Sequence, residues 1–378
     1  LSTMSSTMLP KILIELLGVW LPNKGAELML HTVRQELNKR LEAVSFAIDS
    51  KEPFLNRTRF NMLQKRKSSF PFHKYLFPNQ FDRWGIVNDS QITHYIDISG
   101  FAYGDSWGYK KARRRLGKKV KKGTPYYLLP QAFGPFTDQK LRSEMIRIGK
   151  SAQMLCARDN VSLEHLKELG LDNARLFPDI TFALETTGFD QSTMDGSKYG
   201  CLIINNKLIS SGNMNSKEVI ELFHKAGEIM CEKNISPKVL LHEPQEDKAL
   251  ADELASRLNC PIIELEDARE IKSFISNSYI TITARFHGLV SALSTGTPVM
   301  AIGWSHKYQE LLQDFNAENL MFEGDHSVFL ENLRGLLSSE ETHQKYSDQF
   351  EKISELKKQK LTLLFDELAQ HIESTNQS

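Results

Sequence analysis

The stretch formed by residues 279–304 constrains the fold of this chain more than any other. It opens with β-branched and aromatic residues that predict a buried strand over residues 279–283, and it closes with a second apolar strand over residues 298–302. Between the two, residues 288–294 carry apolar side chains at helical spacing. A strand, a helix and a strand in so short a stretch favour a parallel sheet covered by helices.

Two side chains capable of chemistry lie in the first turn of this unit. Arg285 and His287 follow the first strand, and open α/β sheets bind ligands beyond the carboxyl ends of their strands. A fixed cation beside a titratable imidazole predicts the handling of an anionic substrate. A structural interpretation stays open beside it, in which Arg285 pairs with a neighbouring carboxylate and His287 caps the helix.

The same alternation of strands and helices occurs twice along the 378 residues, a length that exceeds one ordinary core. We predict a Rossmann-like domain over residues 10–184, a polar linker over residues 185–198 and a second Rossmann-like domain over residues 199–325. A helical tail over residues 326–372 could cross back to the first domain. The expected fold is therefore α/β, with two doubly wound domains facing a central cleft.

Composition and charge narrow the classes of function. The formal net charge is zero, which gives no general attraction to nucleic acid, and no apolar run is long enough to span a membrane. The first residues lack the pattern of a secretory signal, so we expect a cytoplasmic protein. Four widely spaced cysteines predict buried, reduced thiols and no metal site.

A run that begins at Lys110 and ends at Lys122 contains nine basic residues. Such a run is usually the solvated face of a helix. Its alternative is a contact with a phosphorylated or membrane-bound acceptor, which would bring the protein to the inner face of the membrane.

Several short motifs, taken in order, resemble the polysaccharide pyruvyl transferase family from about residue 18 to about residue 325. The motifs are Asn23-x-Gly25, Gln131-x-x-Gly134-Pro135, Ala157-Arg158-Asp159-x-x-Ser162, Pro178-Asp179, Ala284-Arg285-Phe286-His287-Gly288 and Gly296-Thr297-Pro298. The chain departs from the family's pattern at Ala26, where an acidic residue is usual, at Ser99-Gly100-Phe101 in the second loop, and at Phe286, where an aliphatic residue is usual.

The resemblance implies a fold similar to that of the GT-B glycosyltransferases and a role in the biosynthesis of polysaccharides such as exopolysaccharide or cell-envelope glycan. It also implies transfer of the enolpyruvyl group of phosphoenolpyruvate to two hydroxyls of a sugar, which gives a cyclic pyruvate ketal and phosphate. Phosphoenolpyruvate is then a co-substrate, and no cofactor or metal is expected. The acceptor would be a sugar or glycan, either free or lipid-linked.

The resemblance also implies roles for individual residues. Arg285 would hold the anion through its planar fork, which lysine lacks, and His287 would act as acid and then as base. Arg158 could hold the same anion from the first domain. The remaining candidate substrate-binding residues are Asn23, Gly25, Gly100, Gln131, Gly134, Asp179 and His242. Ordinary turn or loop roles remain open for Asn23, Gly25, Asp179 and His242.

Two other functions remain open at this point. A GT-B-type nucleotide-sugar glycosyltransferase would need an acidic residue in the second domain to hold the nucleotide, and Glu243 and Glu264 are the candidates. A non-catalytic protein that binds a glycan or a lipid carrier would use Arg285 and His287 for pairing or capping alone.

Overall fold

Strands and helices alternate along the described chain. The computed structural model describes residues 12–49, 51–66, 85–120, 122–186 and 197–376. The strands are β1 (Ile12–Leu17), β2 (Val44–Ile48), β3 (Leu63–Lys65), β4 (Ile86–Val87), β5 (His94–Asp97), β6 (Phe101–Tyr103), β7 (Tyr126–Phe133), β8 (Met154–Ala157), β9 (Ala174–Leu176), β10 (Tyr199–Ile203), β11 (Ser236–Leu241), β12 (Ile262–Glu264), β13 (Ile280–Thr283) and β14 (Val299–Ala301).

The helices are α1 (Lys24–Arg40), α2 (Phe54–Arg59), α3 (Gly108–Ala112), α4 (Lys118–Val120), α5 (Gln139–Ser151), α6 (Asn160–Lys167), α7 (Lys207–Ser210), α8 (Ser216–Glu232), α9 (Pro244–Leu258), α10 (Ala268–Ser276), α11 (Phe286–Ser294), α12 (His306–Asp314), α13 (His326–Leu336) and α14 (Glu340–Asn376). Single 3-10 turns occur at Asp89–Gln91, Ile180–Ala183 and Glu318–Leu320, and a π-helical turn occurs at Arg113–Gly117.

The chain divides into two compact units. The first contains the residues up to Leu21, Met29–Ile180, and the chain from Leu361 onward. The second contains Pro22–Leu28 and Thr181–Lys360. The short segment Pro22–Leu28, which lies between β1 and most of α1 in sequence, therefore belongs to the second unit.

The first unit is built on a parallel sheet with the order β4-β3-β2-β1-β5-β7-β8-β9, and β6 pairs with β7. Every residue of β1 is buried, as expected of a central parallel strand covered on both faces. The strand order reverses beside β1, which makes the carboxyl ends of β1 and β5 the switch point of this sheet. There the backbone of Gly18 approaches Ser99 so closely that a Cβ would lie 2.3 Å from the Ser99 hydroxyl oxygen.

The last part of α14 packs within the first unit. Its apolar side chains Leu361, Leu364, Phe365, Leu368 and Ile372 are buried and recur at helical spacing. Two ion pairs also hold this part of α14 in the first unit. Asp366 pairs with Arg40 at 2.7 Å, and Glu367 pairs with Arg175 at 2.6 Å.

The second unit has a five-stranded parallel sheet with the order β12-β11-β10-β13-β14. Its switch point lies between β10 and β13. Leu202 pairs with Val239, and Ile203 pairs with Thr283. Continued past the strand ends, this register puts the residues 205, 242 and 285 at the same level.

Several predicted elements were wrong in detail. The sequence predicts a short strand over residues 319–322, but Glu318–Leu320 form a 3-10 turn and Met321 makes a single bridge to Ala301. The sequence also predicts a short strand around residues 176–177 with Asp179 at its exit; the structure has β9 at Ala174–Leu176, and Asp179 lies between it and the turn Ile180–Ala183. The tail is two helices, α13 and α14, rather than one. The short strands β3, β4 and β6 carried too little pattern to be predicted.

The cysteines differ in part from expectation. Cys156 and Cys201 are buried free thiols, whereas Cys231 is exposed, so the prediction that all four are buried was wrong. Residues 187–196, which form most of the predicted linker, and residues 1–11 lie outside the described part of the chain. Among the described residues no helix is both long and apolar enough to cross a membrane.

Candidate functional site

The turn between β13 and α11 presents Arg285 and His287 at the carboxyl end of the second sheet. The Thr283 hydroxyl accepts a hydrogen bond from the Arg285 N–H at 3.0 Å and donates one to the Arg285 carbonyl at 3.1 Å. A Cβ on Gly288 would lie 2.5 Å from the same hydroxyl oxygen. The strand-to-helix turn is therefore tight and well fixed, because Thr283 ties its backbone and Gly288 leaves room for it.

The guanidinium of Arg285 is bound by carboxylates of the same unit. Its Nη2 and Nε atoms donate to one oxygen of Asp247 at 2.6 and 3.0 Å, and its Nη1 atom donates to Glu243. Glu246 lies 3.6 Å from Nη2. The structural interpretation of Arg285, pairing with neighbouring carboxylates, therefore describes its geometry.

Burial and charge act against each other in this cluster. Burial disfavours the charged guanidinium, but Asp247 and Glu243 outweigh it and raise the pKa of Arg285. Burial also raises the pKa of Glu243 and of Asp247, although Arg285 favours their ionised forms. One arginine thus holds two buried carboxylates at the edge of the sheet.

Hydrogen bonds join the end of β10 to the turn after β13 and to the first turn of α9. Asn205, which follows β10, donates from Nδ2 to the Ala284 carbonyl at 2.9 Å. Asp247 accepts a hydrogen bond from the Asn206 N–H at 2.9 Å through its second carboxylate oxygen. Asp247 therefore links the end of β10 to Arg285.

His242, which follows β11, is buried at the level of Asn205 and Arg285. Burial lowers its pKa well below the ordinary value, and the positive charges of Arg285, His287 and Lys24 act in the same direction. Its Nε2 atom is buried and makes no hydrogen bond with the described residues. His242 is therefore a neutral imidazole beside the cationic groups of this site.

Asn23 begins α1 as a helix cap. Its side-chain oxygen accepts hydrogen bonds from the N–H groups of Gly25 at 2.9 Å and Ala26 at 3.2 Å. The ordinary-turn interpretation of Asn23 accounts for these contacts, since Asn is among the best capping residues.

Gly25 lies directly against the imidazole of His287. A Cβ on Gly25 would come within 2.1 Å of the Nδ1 atom of His287 and within 2.6 Å of its Cε1 atom. The two residues, far apart in sequence, meet in the second unit. The imidazole of His287 can take its observed position only because residue 25 has no Cβ atom.

Lys307 lies in the first turn of α12, the helix that follows β14. Its ammonium nitrogen is 4.7 Å from the ring centre of Trp304 and 5.0 Å from that of Phe286, the residue between Arg285 and His287. A cation in the first turn of a helix opposes the helix dipole, which favours anions there. Sequence reasoning missed Lys307, although its position after a parallel strand was the available signal.

In the first unit, Arg158 follows β8 and pairs with Asp179. The Nη1 atom of Arg158 is 3.2 Å from a carboxylate oxygen of Asp179, and both side chains are almost completely buried. Asp159 caps α6 by accepting a hydrogen bond from the Ser162 N–H at 2.7 Å. The motif Arg158-Asp159 thus combines a buried ion pair with a helix cap.

Gly100 lies in the bend between β5 and β6, and its carbonyl accepts a hydrogen bond at 2.8 Å from the N–H of Ala132, the residue after Gln131 in β7. The sequence predicts a strand over residues 125–130 with Gln131 just beyond its end, but β7 extends to Phe133, so Gln131 lies within the strand. Its side chain is buried, and its Oε1 atom makes no hydrogen bond with the described residues. Gly100 has a φ of +68°, and a Cβ there would lie 3.9 Å from the Nη1 atom of Arg158.

Gly134 has a different environment from these residues. Its φ is +82°, and a Cβ would lie 2.4 Å from the ring of His165. Its position is explained by backbone conformation and by packing against His165.

The basic run is not a simple solvated face. Arg115 donates to the Ser99 hydroxyl and lies 3.8 Å from buried Asp97, and Lys119 lies 2.9 Å from buried Glu15. Burial lowers the pKa of Lys119 to about 8, although Glu15 favours its charged form. The exposed residues of the described run are Lys110, Arg113, Arg114 and Lys122.

The structure thus groups the sequence-predicted residues by unit. Arg285, His287, His242, Asn23 and Gly25 lie in the second unit, and Arg158, Asp179, Gln131 and Gly100 lie near one another in the first. Sequence reasoning missed Asp247 and Asn205. Asp247 stands in the first turn of α9, where acidic residues are common for helix-dipole reasons, so its sequence position gave no distinct signal.

Comparisons with known proteins agree with this architecture. Residues 23–306 match the family model described as polysaccharide pyruvyl transferase. Among curated proteins, none matches the sequence significantly.

Three solved structures illustrate the similarity of fold. A putative UDP-N-acetylglucosamine 2-epimerase from Listeria monocytogenes has a TM-score of 0.59 at 13% identity, covering 92% of this chain and 94% of that chain. The UDP-GlcNAc 2-epimerase from Neisseria meningitidis, bound to UDP-GlcNAc, has a TM-score of 0.57 at 14% identity, covering 93% and 99%. Spinosyn rhamnosyltransferase complexed with thymidine diphosphate has a TM-score of 0.52 at 12% identity, covering 92% and 96%. At such identities the likeness shows the fold alone, and it confirms the predicted α/β fold of the GT-B type.

Proposed function

This chain belongs to the polysaccharide pyruvyl transferase family, and we propose that it transfers the enolpyruvyl group of phosphoenolpyruvate to two hydroxyls of a sugar. The products are a cyclic pyruvate ketal and phosphate. The observation that carries the proposal is the position of His287, which a fixed turn presents at the carboxyl end of β13. Parallel sheets place ligands at this edge.

The anion of phosphoenolpyruvate has favourable surroundings in the second unit. Helix α11 begins at this turn without a side-chain cap among the described residues, and the N-terminus of a helix favours negative charge. Lys307 adds a cationic group 5.0 Å from the ring centre of Phe286, and the ring of His287 makes a T-shaped contact with Phe286 at 5.6 Å. Because Asp247 and Glu243 hold the Arg285 fork, direct capture of the anion by Arg285 requires those carboxylates to release it.

The proposed reaction balances around His287. The imidazolium donates its proton to the methylene carbon of phosphoenolpyruvate, which becomes a methyl group and leaves the central carbon electrophilic. A sugar hydroxyl oxygen forms a bond to that carbon, and its proton passes to the neutral imidazole. The bond from the central carbon to the phosphate oxygen then breaks, and the electron pair leaves with phosphate. The second hydroxyl closes the ring, and its proton is carried away with phosphate.

His242 supports this assignment of roles. It stays neutral beside Arg285 and His287, so the proton-donating role falls to His287. A neutral imidazole can still hydrogen-bond a substrate oxygen. Acid and base chemistry then depends on His287 alone, because His242 does not take up the proton.

The acceptor in this proposal is a sugar or glycan. The buried Oε1 atom of Gln131 and the pair of Arg158 with Asp179 offer hydrogen-bonding groups suited to sugar hydroxyls in the first unit. Exposed Lys110, Arg113 and Arg114 support a contact with the phosphate of a lipid-linked acceptor.

A direct assay tests the function. The protein is incubated with phosphoenolpyruvate and a panel of glycan acceptors, and phosphate release is measured together with the mass gain of a pyruvate ketal. We expect His287→Ala to lower the rate by about 100-fold or more, as loss of a general acid–base group does. His224→Ala, on α8 beside Glu228, is the matched control and should keep the wild-type rate. Unchanged turnover by His287→Ala would contradict the mechanism.

The glycosyltransferase alternative finds less support. Of its two candidate acidic residues, Glu243 is bound to Arg285, and Glu264 is an exposed residue at the end of β12. The same assay includes UDP-GlcNAc as donor. Turnover of that donor without any use of phosphoenolpyruvate would establish the alternative instead.

A further inference from the structure

We infer that Gly25 is a positioning residue for His287: the absence of a side chain at position 25 sets the orientation of the imidazole. The expected effect on kcat rests on the proposed function, whereas the contact between Gly25 and His287 does not depend on it. The pair joins the first crossover of the chain to the turn after β13, and both residues belong to the second unit.

Three separate anchors hold the backbone around Gly25 in place. Asn23 caps the helix start, as described above. The ammonium of Lys24 donates to the carbonyl of Glu266 and lies 3.0 Å from Glu27. Glu27 in turn accepts a hydrogen bond from the Ala268 N–H at 3.0 Å, at the first residue of α10.

The packing below this segment is equally fixed. Leu28, Leu184 and Ala268 form a small buried apolar cluster within the second unit. Burying these side chains ties the start of α1 to the start of α10. The backbone of Gly25 therefore has little freedom to move away from an added methyl group.

The imidazole is the more mobile partner in this contact. A Cβ at position 25 would meet Nδ1, Cε1 and Cγ of His287, all within 2.8 Å, and no real packing allows such distances. Because the ring can rotate about its own side-chain bonds and the anchored backbone cannot shift, the ring moves. Gly25→Ala should therefore misplace His287 while the fold persists.

The kinetic experiment uses the full chain. Gly25→Ala should lower kcat by about 100-fold, the cost of misplacing a reacting group by about 1 Å, and leave the KM for phosphoenolpyruvate within a few-fold. Gly335→Ala is the matched control, because Gly335 also lies in a helix of the second unit and a Cβ there meets nothing within 4 Å. It should keep the wild-type kcat. The double variant Gly25→Ala/His287→Ala should lose no more activity than His287→Ala, because the two changes act through one group.

A spectroscopic arm separates this inference from the function. The imidazole resonances of His287 are recorded in histidine-labelled protein and assigned through His287→Gln. We expect them to shift in Gly25→Ala and to stay in place in Gly335→Ala. If the wild-type protein releases no phosphate from phosphoenolpyruvate, the proposed function fails, and this arm still decides the positioning role.

Two results would overturn the inference. One is an unshifted His287 resonance in folded Gly25→Ala, whatever its activity. The other is wild-type kcat in that variant. If Gly25→Ala folds poorly, the double variant with His287→Ala decides the matter, because removing the ring should restore stability if the ring is what the methyl group strikes.

Discussion

Arg285 donates from two of its nitrogens to a single carboxylate oxygen of Asp247, at 2.6 and 3.0 Å, and from its third nitrogen to Glu243. Asp247 also holds the N–H of Asn206 beyond β10. A guanidinium fixed in this way orders the strand ends around it. Its geometry is that of a positioning group for the turn that carries His287.

Arg285→Lys distinguishes positioning from capture of the substrate anion. Lysine keeps the charge but cannot bridge Asp247 and Glu243 with a rigid fork. We expect kcat to fall by about 100-fold because the turn before His287 shifts, and we expect the KM for phosphoenolpyruvate to change little. Steady-state kinetics of ketal formation measures both constants.

The opposite pattern of kcat and KM in Arg285→Lys would show that Arg285 binds the substrate anion directly. A large rise in KM with unchanged kcat means that the fork contacts the anion in the ground state. Arg257→Lys, at an exposed ion pair on α9, is the control for the substitution itself. Its two constants should match those of the wild type.

The buried pair of Arg158 and Asp179 should contribute strongly to stability. Asp179→Ala leaves the guanidinium buried without this partner, which costs about 3–5 kcal/mol for pairs of this kind. We expect the double variant Arg158→Met/Asp179→Leu to recover a large part of that loss. Urea unfolding followed by amide exchange in β8 measures the effect in the first unit.

Equal stability of Asp179→Ala and the wild type would contradict a structural role for this pair. Loss of activity without loss of stability would instead place Asp179 in contact with the acceptor. The pair Lys248 and Asp252 is an exposed control, and Asp252→Ala should change stability by less than about 1 kcal/mol.

The fold could be predicted from the sequence because its parallel strands are short apolar runs with clear boundaries. Strand β2 and strand β8 begin and end where the pattern changes. Prediction failed where pairing and not composition defines the element. Strand β4 has only two residues, and it is a strand because it pairs with β3.

The candidate site could be predicted in part for a similar reason. Arg285, His287 and His242 stand at strand ends, a position that sequence shows. The contact of Gly25 with His287 joins residues far apart in the sequence, and no local pattern predicts it. The pairing of Arg285 with Asp247 is also long-range, since α9 and β13 meet only once the sheet has formed.

Lys307 should contribute to binding of the anionic co-substrate. Lys307→Met keeps the length and the apolar packing on Trp304 and Phe286 but removes the charge. We expect the KM for phosphoenolpyruvate to rise by about tenfold, equivalent to about 1.4 kcal/mol of lost binding, with a smaller change in kcat. Initial rates at several salt concentrations check the assignment, because removing a charge contact weakens the dependence on salt.

An unchanged KM in Lys307→Met would remove Lys307 from the site. The matched control is Lys217→Met, which removes a charge from the exposed first turn of α8 in the same unit. It should leave both the KM and its salt dependence unaltered.

His94 should make the first unit less stable in acid. Its two ring nitrogens lie 2.8 and 2.9 Å from the hydroxyls of Thr93 and Thr375, which joins β5 to the end of α14. Burial lowers the pKa of His94 to about 4, whereas an unfolded histidine has a value near 6.5. The unfolded chain therefore takes up a proton first as the pH falls. The contribution of neutral His94 is present above about pH 6.5 and declines toward about pH 4, by about 3 kcal/mol in total.

The difference between wild type and His94→Gln isolates this effect from the carboxylates. Glutamine does not titrate, so the variant should lose less stability than the wild type between pH 7 and pH 4.5, with amide exchange in β5 and in the last turns of α14 as the measurement. His224→Gln, which changes a more exposed histidine on α8, should follow the wild-type curve in these segments. Parallel curves for wild type and His94→Gln would show that His94 takes up its proton equally in the folded and unfolded chains. In that case burial does not hold the imidazole neutral, and the link between β5 and α14 is independent of pH.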